Sequence, residues 1–72
     1  MVELGRATCD ECGGRKVLIV NPKGVWSVCK RCGFMEWEWA PGDSIAYLEY
    51  LASRYHLDPH SLLKAVEEAI NP

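Results

Sequence analysis

Four cysteines in two tight pairs are the residues of this sequence best suited to chemistry: Cys9-x-x-Cys12, then sixteen residues, then Cys29-x-x-Cys32. Two C-x-x-C pairs at this separation are the ligand pattern of a tetrathiolate zinc site, in which soft thiolates close a tetrahedron around the metal. The expected cofactor is one structural zinc ion on Cys9, Cys12, Cys29 and Cys32. Iron in a rubredoxin-like site uses the same paired knuckles and is the competing metal; two disulfides are the competing covalent reading. Asp10 and Glu11 lie inside the first pair, where their charge raises thiol pKa values and works against a thioredoxin-like reactive thiolate. A metal that already has four cysteine ligands has no open position for a water nucleophile, so the centre is expected to be structural and the protein not an enzyme.

The elements that must hold these ligands are readable around them. Each pair is followed by glycine, Gly13-Gly14 and Gly33, where a turn around a metal favours a residue tolerant of positive φ. Between the knuckles Val17-Leu18-Ile19-Val20 predicts a strand, Asn21-Pro22-Lys23-Gly24 a turn, and Val25-Trp26-Ser27-Val28 the returning strand. Phe34-Met35-Glu36-Trp37-Glu38-Trp39 predicts a third antiparallel strand ended by Ala40-Pro41-Gly42, with Met35, Trp37 and Trp39 on one face.

Residues 9 to 39 resemble zinc ribbons of the transcription machinery, most closely the N-terminal ribbon of the general transcription factor B group. A C-x-x-C-G knuckle, a hairpin with a glycine-containing turn and a V-C-x-x-C-G knuckle recur there in this order, and Val28-Cys29-Lys30-Arg31-Cys32-Gly33 is the sharpest part of the match. The resemblance covers under half of the chain and implies the four zinc ligands. Similar ribbons occur in polymerase subunits, elongation factors and ribosomal proteins.

After the Pro-Gly break the period changes from two to that of a helix. Ile45, Leu48, Leu51, Ala52 and Tyr55 fall at helical intervals behind a cap at Asp43 or Ser44, giving a helix of about three turns. A second helix starts at Pro59 with Asp58 as its cap and Leu62, Leu63, Val66, Ala69 and Ile70 as its apolar face. The expected fold is a small α+β zinc-bound domain: a three-stranded antiparallel zinc ribbon over residues 1–40 followed by a C-terminal helical hairpin over residues 41–72. The hairpin should pack on the aromatic face of the third strand to make one compact domain, because 72 residues bury too little surface for either part to stand alone.

Charge is polarised along the chain. Residues 1–33 hold six basic and three acidic side chains, residues 34–72 two and seven, for a formal net charge of −2. Arg15, Lys16, Lys23, Lys30 and Arg31 are therefore the candidates for contact with nucleic acid or an acidic partner, and Trp26, beside Lys23 on the hairpin, is the tryptophan suited to stacking on a base or anchoring a protein. A DNA-reading helix-turn-helix is disfavoured by Glu67 and Glu68 on the second helix. His56 and His60 lie around the interhelical turn, where surface or capping roles are expected.

No stretch approaches the roughly 20 apolar residues of a membrane span, and the first residues lack a secretory pattern, so the expected compartment is a reducing cytoplasm, or a nucleus. The functional expectation is a non-enzymatic accessory module of a large nucleic-acid machine such as RNA polymerase, with transcription first by resemblance. The alternatives are a ribosome-associated protein on rRNA and a protein–protein adaptor using its helical face. Neither a membrane nor a small-molecule substrate is expected.

Overall fold

The computed structural model describes residues 2–70; residues 1, 71 and 72, at the outer ends of the two expected segments, lie outside the described residues. Six elements follow one another: β1 (Val2–Thr8), β2 (Arg15–Asn21), β3 (Gly24–Cys29), β4 (Met35–Trp39), α1 (Ile45–Arg54) and α2 (Pro59–Ile70). The strands form one antiparallel sheet in chain order, β1-β2-β3-β4. The sheet thus has four strands, correcting the expected three. Val2 and Leu4 do alternate with Glu3, but a bulge between Leu4 and Ala7 breaks the period before it becomes legible. Gly5 supplies that bulge at φ +76°, and the Arg6 amide leaves the ladder to donate to the Tyr55 carbonyl (2.9 Å).

The predicted hairpin is β2–β3, paired from Lys16↔Cys29 to Asn21↔Gly24. Its turn is held by the Lys23 amide, which donates to the Asn21 side chain (2.8 Å). Gly24 is required there by close approach: a Cβ at this position would collide with the Trp39 carbonyl oxygen.

Both helices cover one face of the sheet. Leu18 and Val20 from β2, Val25 from β3, Trp39 from β4, Leu48, Leu51 and Ala52 from α1, Tyr55, and Leu62 and Val66 from α2 form one buried apolar cluster. Each fully buried aliphatic side chain of this set contributes about 2 kcal/mol. Ser44 caps α1 by accepting from the Ala46 amide (3.2 Å), and Asp58 accepts from the Ser61 amide at the start of α2 (3.1 Å), as the sequence predicts. The helices meet the sheet chiefly on β2 and β3 through α2, with Trp39 as the part of the predicted aromatic face that joins them. Ile45 is exposed, at the open end of its helix.

Trp37 departs from expectation. β3 steps from Val25 to Trp26 while β4 steps from Trp39 to Trp37, so Glu38 is an extra residue in the ladder. An extra residue inverts the alternation on either side of it. Trp39 is 3% exposed beneath the helices, whereas Trp37 is 54% exposed on the other face, its ring centroid 4.5 Å from that of Trp26.

Candidate metal centre

The first knuckle joins β1 to β2 and the second joins β3 to β4. Because β2 and β3 are neighbours paired antiparallel, both knuckles fall at the same end of the sheet. The two are built alike. In the first, the Cys9 amide donates to Gly14 O and the Gly13 amide to Cys9 O, each at 2.8 Å; in the second, the Cys29 amide donates to Phe34 O (2.8 Å) and the Gly33 amide to Cys29 O (3.0 Å). Gly13 and Gly33 occupy the equivalent left-handed positions, φ +74° and +81°. The Lys30 amide donates to Arg15 O (2.8 Å), tying the second knuckle to the start of β2.

This repetition brings the four sulphurs within 4.8 Å of one another. Cys12 and Cys29 Sγ are 3.4 Å apart, and Cys9 and Cys32 Sγ 3.9 Å. Sulphurs on a tetrahedron about 2.3 Å from its centre are separated by about 3.8 Å, so the cluster has the size a single metal ion requires. All four cysteines are free thiols, with no disulfide among them.

The backbone already prepares the cluster for negative charge. Amides of Cys32 (3.3 Å) and Arg31 (3.4 Å) donate to Cys29 Sγ, and that of Gly14 to Cys12 Sγ (3.4 Å). The Cys32 amide, chiefly, pulls the Cys29 thiol down to about 6. For Cys32 the Phe34 amide acts downward, but proton sharing with Cys29, together with desolvation and the other two thiols, outweighs it and pushes Cys32 up to about 11. One thiolate therefore forms readily and the last forms with difficulty, which is the condition a bound dication relieves.

The candidate contact residues do not gather into one patch. Lys30 pairs with Glu3 across the helix-free face (2.8 Å), the one ion pair among the described residues. Arg31 runs over the first knuckle, its Nη1 3.4 Å from Cys12 O. Lys16 is only 8% exposed, on the helix-facing side of β2 opposite Cys29. Lys23 sits at the hairpin turn, the length of β2 away from the knuckles, roughly 20 Å. Trp26 is half-buried on the helix-free face against Ile19 and Trp37. Arg15 remains exposed at the knuckle.

Arg15 also lines a cleft that sequence reasoning missed, of about 690 Å³, with Arg6, Arg54 and His56 on its other walls. The only available signal was the arginine count itself, because the cleft needs β1, and the first strand was not legible.

Among the described residues no helix is long and apolar enough to cross a membrane. No protein-family model, curated protein or solved structure matches this chain.

Proposed function

We propose that the protein is a non-enzymatic zinc-ribbon module in which one structural zinc ion on Cys9, Cys12, Cys29 and Cys32 fixes a surface for a nucleic-acid machine, transcription being the first candidate. The observation that carries this reading is the closed four-sulphur cluster built from two equivalent knuckles at one end of a β-hairpin. Four thiolates suit zinc, and a centre with no vacant position supplies stability and shape. Stability is what a chain of 72 residues needs.

The surface offered to the partner is the helix-free face. Trp26 and Trp37 pack there as a tilted pair with Met35 beside them, and the basic side chains of Lys30, Arg31 and, at the far end, Lys23 belong to the same half of the chain. Exposed aromatic rings suit single-stranded RNA or DNA, whose bases stack, and the basic side chains at the two ends of the hairpin offer its phosphates countercharge.

The test is binding of the zinc-loaded protein to single-stranded RNA and DNA, read by quenching of tryptophan fluorescence at low and high salt. Lys23→Glu and Trp26→Leu should each weaken binding, and salt should weaken it further. Absence of binding at low salt would overturn the nucleic-acid part. A second reading, a protein adaptor, is favoured by exposed Ile45, Tyr47 and Tyr50 along α1; it predicts partner binding that survives high salt and fails when Tyr50 becomes polar.

A further inference from the structure

We infer that the cleft between the first knuckle, the β1 bulge and the C-terminus of α1 is a binding site for a phosphate group. Arg6 enters it from the bulge, Arg15 from the start of β2, and Arg54 and His56 from the end of α1, while Gly13 and Gly14 floor the knuckle side. Three arginines from three separate elements line one opening, and none of them has a carboxylate within 4 Å among the described residues. Guanidinium forks are planar, weakly hydrated and matched to the paired oxygens of a phosphate.

The usual structural use of Arg54 is largely met by other groups. An arginine at the end of a helix commonly answers unpaired carbonyls. Here most of those carbonyls have backbone partners: Leu51 O takes the Tyr55 amide (3.0 Å), Ala52 O the Leu57 amide (2.8 Å), Ser53 O the His56 amide (3.3 Å) and Tyr55 O the Arg6 amide (2.9 Å). The Arg54 guanidinium instead lies 6.0 Å from the centroid of the Tyr50 ring, which positions it without neutralising it. The knuckle's amides are likewise spent, Gly13 on Cys9 O and Gly14 on Cys12 Sγ. The donors left to the cleft are therefore side chains.

His56 adds an independent observation. It closes α1 in the left-handed conformation, φ +56°, at a position where helices usually place glycine. A side chain there is strained, and here it lines the cleft. An imidazole at that point gives the site a fourth nitrogen donor that glycine would not.

The opposing charges are Asp10, whose field reaches Arg54, and the metal–thiolate core, which carries two surplus negative charges when four thiolates hold a dication. Offsetting that core requires basic residues nearby but not their convergence on one opening from β1, β2 and α1. The site stands apart from the nucleic-acid reading, since a free phosphate would fill it as well as one in a backbone.

The experiment is an amide-resolved NMR titration of the full, zinc-loaded chain with inorganic phosphate against sodium chloride of equal ionic strength. Saturable shifts centred on Arg6, Gly13, Gly14, Arg15 and His56 with phosphate but not chloride are expected. The double variant Arg6→Gln/Arg54→Gln, with zinc content and spectral dispersion unchanged, should weaken binding at least about tenfold, as loss of two charge-assisted donors implies. His56→Gly guards against a mere folding effect: it should raise Tm by relieving the strained φ while still weakening phosphate binding. Shifts that match those of chloride, or that persist unchanged in the double variant, would overturn the site. A nucleoside monophosphate and a single-stranded oligonucleotide titrated in parallel identify the source, which is whichever saturates the same amides at lower concentration. Oligonucleotide binding that depends on Trp26 and Lys23, together with phosphate shifts at the cleft no different from those of chloride, would sink this inference and leave the preceding reading intact.

Discussion

Trp37 and Trp39 face opposite sides of the sheet although a single residue, Glu38, separates them. Their substitutions should therefore differ sharply. Trp39→Ala empties the space beneath α1 and removes the indole N–H that donates to Ser44 O (3.1 Å), and should cost about 3–5 kcal/mol. Trp37→Ala gives up a half-exposed ring and its contact with Trp26, about 1 kcal/mol. Urea denaturation of the two variants measures the gap; equal losses would mean that both rings lie beneath the helices.

Metal removal tests the centre itself. The purified protein should hold about one zinc per chain, and a chelator should lower stability by several kcal/mol, more than about 10 °C in Tm. Elemental analysis paired with circular dichroism during chelation reads both. Iron in place of zinc would redirect the metal assignment, and a Tm unmoved by chelation would remove the structural role.

Acid should release the metal, and the direction follows from the thiols. Cys29 is depressed to about 6, so the stability tied to its thiolate is complete above the ordinary thiol range and disappears as pH falls through about 6. Cys32, pushed up to about 11, behaves oppositely: its contribution is present below the ordinary range and lost as pH rises toward 11. The cluster titrates as a unit, and a metal holding four thiolates competes with their protons, so occupancy should fall steeply on acidification, with its midpoint displaced below the metal-free Cys29 value of about 6. Cobalt substituted for zinc gives a thiolate charge-transfer band to follow; absence of that band at neutral pH, or a band wholly indifferent to acid, would contradict the four-thiolate centre.

Two glycines should respond differently to alanine. At Gly13 a Cβ meets nothing within 4 Å, so Gly13→Ala carries only the left-handed penalty, about 1 kcal/mol. At Gly24 a Cβ would collide with the Trp39 carbonyl, and Gly24→Ala should cost more than about 2 kcal/mol by forcing β3 and β4 apart. Thermal unfolding of the pair settles the order.

Ser27 is fully buried on β3, and its hydroxyl has no hydrogen-bond partner among the described residues. Ser27→Ala should be neutral or stabilising by up to about 1 kcal/mol, because it removes an unsatisfied oxygen without opening a void. A clear loss of stability would reveal a water or side chain serving that oxygen.

How much of this was legible depended on whether a feature repeats. The cysteine pairs, the hairpin Val17 to Val28 and the helices announced by Ser44 and Asp58 each carry a local period or cap, and all stand where the sequence puts them. The two departures from expectation within the sheet, the added strand β1 and the orientation of Trp37, each coincide with a bulge. An inserted residue shifts the period of two by one place, so alternation read straight across it assigns the wrong face. The convergence of Arg6, Arg15 and Arg54 was hidden for another reason: it joins residues far apart in sequence whose meeting depends on β1 lying beside β2 and on Tyr55 reaching the bulge.

Both bulges sit on the outermost strands, β1 and β4, whose far edges have no neighbouring strand among the described residues. An exposed straight edge invites another chain to add itself, and copies of this protein carry two such edges each. Gly5 and Arg6 interrupt the first after three paired residues and turn an amide inward to Tyr55; Glu38 interrupts the second, with Glu36 charged beside it. The irregularities that hide these strands from pattern reading also deny a straight template to a fibre, so the same two insertions disfavour growth of the sheet past its own four strands.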